Sequence, residues 1–567
     1  MGGGVAGLTA AHELVERGFA VTVLEAHSFL GGKSKSVPFP NSGTAGRRDL
    51  PGEHGFRIFP GFYQHLPHTL SRIPYKDSSV MDNVVGTRET FIGNDEQTTI
   101  CIQNNFRGLI GQIIALLRGR HHLQQAGVRD EDIDFFLQKI WQILTSCRTR
   151  RDTELDTISW WEFMEADTRP LSYRQHMVIN STKTLVASDP VRASARTIGQ
   201  IAIQVLRDLF HINCAPDRVL NGPTNDVWID PWYDYLTSKG VVVHSDTLVV
   251  SINEDRHSVT GITCQTKDTE LNFTADYYVL ATPVEVSAEL LHPLRELDDQ
   301  FGDLTVLSRM TNWMNGIQYY LYVDVPIVHG HQILSTTKWA LTSISQAQFW
   351  SETDIASRGD GTVRGVLSVI IADWHAIGDL YGRSAMECTP QEIADEVWYQ
   401  LKGVLNQQNN VRLEDSNQHS WFLDPDIQRG HQNPHDSINL EPLLVNLING
   451  WELRPLSVTK LSNLFLAGDY VKNNTDLATM EGANETGRRA ANAILDASGD
   501  NSARANVWPL WEPAYAWPLQ WYDRRRFERG LPWNPKPPLW LRWPFSFLVR
   551  LYKLARRIAR LLPSTKI

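Results

Sequence analysis

The first residues of the chain carry a glycine spacing that binds phosphate in many nucleotide sites. Gly2, Gly4 and Gly7 fit the pattern G-x-G-x-x-G, and residues 8–15 follow as a predicted helix. The glycines of such a loop permit a tight turn, a close approach of phosphate to the backbone and close packing of helix on strand. The start of the helix adds free N–H groups and the positive end of its dipole. The spacing therefore predicts a site for the pyrophosphate of a dinucleotide.

A strand with an acid at its end follows the loop. Gly18 ends the predicted helix, and residues 19–24 are apolar and β-branched, which is typical of a buried strand. Glu25 closes this strand eighteen residues after Gly7. A carboxylate there accepts hydrogen bonds from the ribose hydroxyls of an adenine dinucleotide. A glycine-rich turn alone is often without function, but loop, helix, strand and acid in this order predict a nucleotide site.

Two later blocks extend the predicted site. Gly31, Gly32 and Lys33 provide a second backbone contact and a cation for a pyrophosphate. Residues 464–467 form a nearly continuous apolar strand that leads to Asp469. Because ligands of an open parallel sheet lie at the carboxyl ends of its strands, Asp469 is expected at the same edge as the glycine loop.

Four ordered blocks make the chain similar to the flavin amine oxidase and phytoene desaturase superfamily. The blocks are residues 2–25, 31–33, 275–283 and 463–485. Within the superfamily the sequence most resembles carotenoid and squalene-type desaturases, such as phytoene and zeta-carotene desaturases and hydroxysqualene dehydroxylase. Residues 53–57 and 221–224 carry this closer resemblance. The resemblance implies FAD as cofactor, and we expect non-covalent binding because no cysteine follows Cys388.

The resemblance also assigns parts of FAD to single residues. Val249 is implied to contact the adenine through its backbone, and the carboxylate of Asp469 to meet the ribityl or pyrophosphate region. The helix that starts near Met480 is implied to place its positive end under the N1–O2 edge of the flavin, which carries negative charge when reduced. The predicted cofactor residues are Gly2, Gly4, Gly7, Glu25, Gly31, Gly32, Lys33, Val249, Asp469, Met480, Glu481, Gly482 and Ala483.

The sequence shows no Ser-His-Asp set, carboxylate pair or metal cluster, so the cofactor is expected to carry the chemistry. The resemblance implies hydride transfer from a substrate C–H to flavin N5, with loss of a neighbouring proton and formation of C=C. His54 and Arg57 are the catalytic candidates, for orienting substrate or moving a proton, although a histidine in such a loop also serves as a structural hydrogen-bonding group. The pocket candidates, which core packing explains equally well, are Phe56, Tyr63, Trp339 and Trp451.

The nucleotide signals fall in separated parts of the chain and predict an α/β fold with two interleaved domains. The Rossmann-like FAD-binding domain is expected at residues 1–90, 215–294 and 441–500, and an α+β substrate domain at 91–214 and 295–440. The strand that should precede the glycine loop is reduced to Met1. Its loss would leave neighbouring strands with unpaired backbone groups, so we expect the native chain to extend upstream.

Residues 501–567 form a tail rich in Trp and Pro. The last 38 residues contain eight Lys and Arg and no Asp or Glu, and residues 545–562 have the spacing of an amphipathic helix with one apolar and one basic face. Such a helix binds the interface of an anionic membrane, with aromatic side chains at headgroup depth. The alternative is a helix docked on the body of the protein. We expect a membrane contact through residues 508–567.

Composition and charge limit the remaining possibilities. The net charge of −10 argues against nucleic acid as a partner, and five scattered cysteines argue against a disulfide framework or a zinc site. No signal peptide is visible, so a cytoplasmic, peripherally membrane-associated location is expected, or a plastid in a eukaryote. The expected substrate is a long apolar isoprenoid or lipid, with quinone or oxygen as electron acceptor. The alternatives are a flavin amine oxidase for a soluble amine, a non-redox flavin isomerase and a flavin-binding protein with little turnover.

Overall fold

A computed structural model of the chain describes residues 1–93, 100–103, 119–180, 182–183, 188–210, 217–406, 411–429, 436–538 and 541. The predicted amphipathic helix at 545–562 lies outside these residues. The α-helices are α1 (Val5–Val15), α2 (His65–Leu70), α3 (Asp130–Thr145), α4 (Arg148–Asp152), α5 (Trp160–Phe163), α6 (Leu171–Tyr173), α7 (Ala195–Phe210), α8 (Asp230–Ser238), α9 (Val284–Leu291), α10 (Asp299–Leu307), α11 (Pro390–Leu405), α12 (Gly450–Leu453), α13 (Met480–Ser498) and α14 (Trp517–Phe527).

Most of the described strands are short, and four of them reach seven residues. They are β1 (Thr22–Leu24), β2 (Ser36–Pro38), β3 (Pro51–Glu53), β4 (Pro74–Tyr75), β5 (Ser78–Ser79), β6 (Val84–Gly86), β7 (Glu89–Gly93), β8 (Ile100–Gln103), β9 (Arg218–Leu220), β10 (Val242–His244), β11 (Leu248–Glu254), β12 (Val259–Gln265), β13 (Glu270–Phe273), β14 (Tyr278–Leu280), β15 (Thr311–Asn312), β16 (Asn315–Leu321), β17 (Gly330–Leu334), β18 (Thr342–Ser345), β19 (Gly365–Ile371), β20 (Gln418–Leu423), β21 (Ile427–Arg429), β22 (Ser437–Asn439), β23 (Leu443–Leu444) and β24 (Leu464–Leu466).

The nucleotide half of the fold is built from two pairs of parallel strands. Strand β1 pairs with β10, and β14 pairs with β24. Met1 and Gly2 lie between the pairs: the amino group of Met1 donates to the carbonyl of Val279 at 3.0 Å, and the Gly2 amide donates to Leu24 at 2.8 Å. Helices α1 and α13 pack so closely that a Cβ on Gly487 would lie 2.5 Å from the carbonyl oxygen of Ala6. This is the predicted α/β arrangement.

The part of the fold that was predicted to be the substrate domain contains a seven-stranded sheet with the order β20-β16-β19-β18-β17-β7-β8. Neighbouring residues of a strand point to opposite faces. Ile317 and Tyr319 of β16 belong to the apolar core that includes α11, whereas Tyr320 belongs to a second core on the other face. The sequence pattern of residues 365–371 predicts a strand, and β19 confirms it. The pattern of residues 306–323 also predicts a strand, which is wrong in its first part because α10 extends to Leu307.

Helices α3, α5 and α7 form a separate apolar layer. Apolar positions recur at the helical period over residues 197–209 and predict a helix there. Helix α7 confirms it, beginning two residues earlier and ending one residue later. None of the helices in the described ranges combines the length and the apolar character that crossing a bilayer requires.

Part of the tail packs against the body of the protein. In α14 the carboxylate of Asp523 is buried and pairs with Arg150 at 3.0 Å. The ring N–H of Trp533 donates to Thr145 at 3.1 Å, and the Trp508 amide donates to His65 at 2.9 Å. The described tail residues are therefore fastened to α2, α3 and α4.

Candidate active site

The two glycine loops meet backbone to backbone. Gly4 forms a parallel bridge with Gly31, and a Cβ on Gly32 would lie 3.1 Å from the Cα of Gly4. Gly2 has a φ of +97°, and a Cβ on Gly7 would lie 1.9 Å from the Gly2 carbonyl oxygen. A side chain has no room at Gly2, Gly7 or Gly31, so the loops present bare backbone. The structure thus brings together five of the predicted cofactor residues.

Helix α1 starts beside this bare surface. Its N-cap is Gly4, no side chain caps it, and its first turn contains no acid. Glu25 is buried, and its carboxylate accepts the amide of Gly3 at 2.7 Å and that of His27 at 2.9 Å. The acid therefore stands next to the glycine loop, as predicted. The predicted adenine contact, Val249, lies in β11 and is buried.

These features fit a dinucleotide cofactor. The backbone at Gly4 and Gly32 leaves space that a Cβ would fill, and the uncapped start of α1 offers N–H groups to phosphate. At the end of β24, the carboxylate of Asp469 makes no hydrogen bond with another described residue and is an acceptor for cofactor hydroxyls. When bound, FAD supplies the redox chemistry of such a site.

Arg57 and Lys33 hold the second glycine loop in place. The guanidinium of Arg57 is buried and donates to the carbonyls of Lys33 at 2.8 Å, of Lys35 at 3.2 Å and of Gly55. The ammonium of Lys33 donates to the carbonyl of Pro442 at 2.5 Å. Arg57 therefore fixes the loop through its backbone, a positioning task that its predicted catalytic role did not include.

His54 belongs to a buried charge network. Its Nδ1 lies 2.6 Å from a carboxylate oxygen of Asp424 and 3.8 Å from one of Asp426. Lys35 pairs with Asp426 at 2.9 Å and with Glu441 at 3.1 Å. Burial lowers the pKa of His54, but the nearby carboxylates of Asp424 and Asp426 outweigh it and raise the pKa to about 9. His54 is therefore protonated at neutral pH and holds a positive charge instead of accepting a proton.

The segment that carries His54 lies on one face of the seven-stranded sheet. The Gly316 amide donates to the His54 carbonyl at 2.8 Å, and the Glu53 amide donates to the side chain of Gln318 at 2.9 Å. The ring of Phe56 contacts His331 edge-on at 5.3 Å. A cavity of about 10 Å³ lies at this junction, lined by Glu53, Phe56, Arg57, Val219, Leu220, Gly222, Thr224, Ile344, Gln346 and Phe349.

The other predicted pocket residues lie elsewhere. Trp339 is fully buried in the core with α11, on the opposite face of the sheet, and its ring N–H donates to Ala376 at 3.0 Å. The structure does not bring it to the site. Trp451 is covered by the guanidinium of Arg196, 3.6 Å from the ring centroid. Burial, with the nearby charge of Glu481, raises the pKa of Tyr63.

Glu481 caps a neighbouring helix with its side chain. One carboxylate oxygen accepts the amides of Gln64 at 2.7 Å and His65 at 2.8 Å, and the other accepts that of Leu66 at 2.9 Å. The start of α13, with Met480, Gly482 and Ala483, is itself capped by the hydroxyl of Thr479. Glu481 thus ties α2 to the start of α13, and its side-chain acceptors are occupied by protein.

A second buried charge centre holds the loop between β24 and α13. Asp476 accepts hydrogen bonds from Thr197 and from the side chain of Asn446 at 3.2 Å, and it pairs with Arg196 and, at 3.3 Å, with Arg454. Asp476 has a φ of +52°, a strained backbone that these partners keep in place.

Arg454 extends this contact toward the predicted cofactor residues. It also donates to the carbonyl of Asp469 at 2.7 Å. The sequence gives no sign of the Asp476 centre, because its members lie up to 280 residues apart.

We expect the substitution Asp476→Asn to destabilise the fold by about 3 kcal/mol, because it removes the carboxylate that pairs with the buried guanidinium of Arg454 and one of the two that pair with Arg196. The matched control is Asp496→Asn, whose carboxylate is exposed and pairs with Arg504 at 2.7 Å. That change should cost less than about 1 kcal/mol. Chemical denaturation of both variants measures the difference. Equal free energies of unfolding would contradict the assigned role of Asp476.

The pH dependence of stability tests the charge on His54. Since its pKa is raised above the ordinary value of about 6.5, the ion pair stabilises the fold fully below pH 6.5 and less as the pH rises through about 9. The contribution is about 3 kcal/mol. The variant His54→Asn should lose this amount near pH 6.5, and its melting temperature should fall less between pH 7 and 10 than that of the unmodified chain. Parallel pH profiles would contradict the assignment.

Comparison with known proteins agrees with this geometry. The chain is 23% identical over 525 residues to zeta-carotene desaturase from Synechocystis sp., covering 87% of this chain and 96% of the relative. It is 22% identical over 538 residues to the zeta-carotene desaturase of Arabidopsis thaliana, covering 89% and 86%. The solved structure of putrescine oxidase bound to putrescine matches with a TM-score of 0.57 and 13% identity, covering 87% of this chain and 98% of that one.

The family assignment follows from a match over most of the chain. The family model described as flavin containing amine oxidoreductase matches residues 5–495. The predicted similarity to carotenoid desaturases and the α/β fold are confirmed, and FAD is the cofactor. The chain belongs to the flavin containing amine oxidoreductase family.

Proposed function

We propose that the chain desaturates or dehydrogenates a long apolar isoprenoid or lipid, with FAD as the hydride acceptor. The observation that carries this proposal is the alignment of the chain with two zeta-carotene desaturases along most of their length. At the junction of segment 53–57 with the sheet, Phe56 packs in one buried core with Ile344, Phe349 and Ile370. A hydrocarbon that entered beside these side chains would gain free energy in proportion to the area removed from water.

Similarity to desaturases supports the same substrate class. Both relatives described above act, by name, on zeta-carotene, and they align along most of their length. In the proposed reaction the apolar side chains at this junction orient the substrate and exclude water. The fixed charges of Arg57 and His54 lie in the same segment. The electron acceptor in this proposal is a quinone or oxygen.

An amine oxidase is the second candidate. The fold of putrescine oxidase and the family description favour it. A soluble amine is a cation, which binds well between aromatic rings or beside carboxylates. The three carboxylates around His54 are already paired with His54 and Lys35, and Phe56 faces a histidine and aliphatic side chains. A desaturase explains this apolar junction better.

Exposed aromatic residues in the tail support contact with a membrane. Trp517 is 68% exposed, and Trp521, one turn later on α14, is 41% exposed. The guanidinium of Arg525 lies 4.4 Å from the ring centroid of Trp521. Tryptophan favours the headgroup region, and arginine is attracted to anionic lipid. We propose that this part of the 508–567 region places the protein on a membrane surface, on the cytoplasmic side or in a plastid.

Anaerobic mixing of the FAD-loaded protein with candidate substrates tests the reaction. Zeta-carotene in vesicles should bleach the visible band of the bound flavin, whereas putrescine should leave it unchanged. Ile344→Thr places a neutral hydroxyl among the apolar side chains around Phe56 and should slow bleaching about tenfold with FAD still bound. The control Val323→Thr alters a residue that is 65% exposed and should bleach normally. Bleaching by the amine alone would support the second candidate instead.

Vesicle flotation tests the membrane surface. The double variant Trp517→Ala/Trp521→Ala should bind vesicles containing phosphatidylglycerol about tenfold more weakly, because two interfacial anchors are lost. Tyr399→Ala removes an aromatic ring that is 49% exposed on α11 and serves as the control. Deleting the whole tail is a poorer test, since Trp508 and Asp523 form hydrogen bonds with residues outside the tail. Unchanged flotation of the double variant would rule out this surface.

A further inference from the structure

Helix α9 begins where the backbones of several loops of the nucleotide half approach each other closely. It follows β14, whose end lies between the first glycine loop and the turn after β24. A Cβ on Gly2 would lie 2.5 Å from the carbonyl oxygen of Ala281, and one on Gly468 would lie 3.6 Å from that of Thr282. Glu285 is the second residue of this helix. Its place in the chain therefore puts it beside the cofactor edge of the sheet.

The carboxylate of Glu285 lacks the partners that buried carboxylates need. Both of its oxygens are inaccessible to solvent, and neither accepts a hydrogen bond from another residue of the described structure. Leaving a buried acceptor without a donor costs free energy, and more so when the acceptor is charged. The buried carboxylates of Glu25 and Glu481 each accept at least two backbone amides. A ligand could therefore supply the hydrogen-bond donors that Glu285 lacks.

The charges around Glu285 determine which donors fit. Asp469 and Glu441 are its negatively charged neighbours, and Lys33 is its positively charged one. Burial raises the pKa of Glu285, and Lys33 partly offsets this. Lys33 also donates to the carbonyl of Pro442. Glu441 is paired with Lys35, so Glu285 and Asp469 are two carboxylates beside the single ammonium of Lys33. This net negative charge repels phosphate, whereas neutral O–H groups can donate to the carboxylates.

We propose that Glu285 accepts hydrogen bonds from the ribityl hydroxyl groups of bound FAD, next to Asp469. The ribityl chain is a run of neutral hydroxyls, which is the donor set that this carboxylate lacks. Glu285 then positions the flavin ring by fixing the chain that carries it. The inference depends on FAD as the cofactor and is independent of the proposed substrate, so its tests use cofactor binding and not turnover.

Binding of flavin fragments to the apoprotein tests this contact. Glu285→Ala should weaken FAD binding tenfold or more, as expected for a hydrogen bond to a charged group. It should weaken riboflavin by a similar factor and leave ADP and lumiflavin, which lack the ribityl chain, unchanged. The control Glu289→Ala lies on the same helix and is exposed. Unchanged riboflavin binding, or an equal loss for ADP, would overturn the proposal.

The stability of the apoprotein provides a second readout. An isosteric change, Glu285→Gln, removes a buried charge that has no protein partner, so the apoprotein should melt at a higher temperature while FAD binding weakens. A residue with a structural role would show the opposite, a lower melting temperature. A lower melting temperature of the Glu285→Gln apoprotein would therefore refute the proposal, even if the alanine variant fails to fold.

Discussion

The rest of the structure depends on the backbone contact between the two glycine loops. Gly4 bridges Gly31, and the absence of side chains at Gly2 and Gly7 lets the first loop fold tightly onto itself. This contact fixes the start of α1 at the carboxyl edge of the parallel strands. The ends of β1, β14 and β24 lie at the same edge of the fold. Acceptor side chains at this edge could surround a dinucleotide, and its phosphates would then contact the bare backbone of the glycine loops.

Buried charges hold the loops around this edge. Asp476 joins the loop before α13 to α7, Glu481 joins α13 to α2, and the pair of His54 and Asp424 joins segment 53–57 to the substrate sheet. A buried ion pair is costly unless every member is satisfied. Asp476 and Glu481 have several partners each, which favours one arrangement of the loops. Hydride transfer needs such fixed positions, because small displacements of reacting atoms slow it strongly.

Local patterns in the sequence predicted the elements that short-range physics determines. Residues 365–371 are a buried strand and α7 has helical spacing, and both form at the predicted places. The position of Trp339 was not predictable, because it lies in the turn between β17 and β18 and the local sequence does not show which face of the sheet this turn covers. The contact of Asp476 with Arg196 joins residues 280 apart in sequence, and no local spacing records it.

Hydrogen–deuterium exchange of the apoprotein and the FAD-loaded protein tests the central claim, that the cofactor lies between the two glycine loops and the start of α13. Loading with FAD should slow exchange in residues 2–8, 31–35 and 468–483. Exchange in α11, behind the seven-stranded sheet, should not change. Protection confined to other parts of the chain, or no protection in the glycine loops, would contradict this placement of the cofactor.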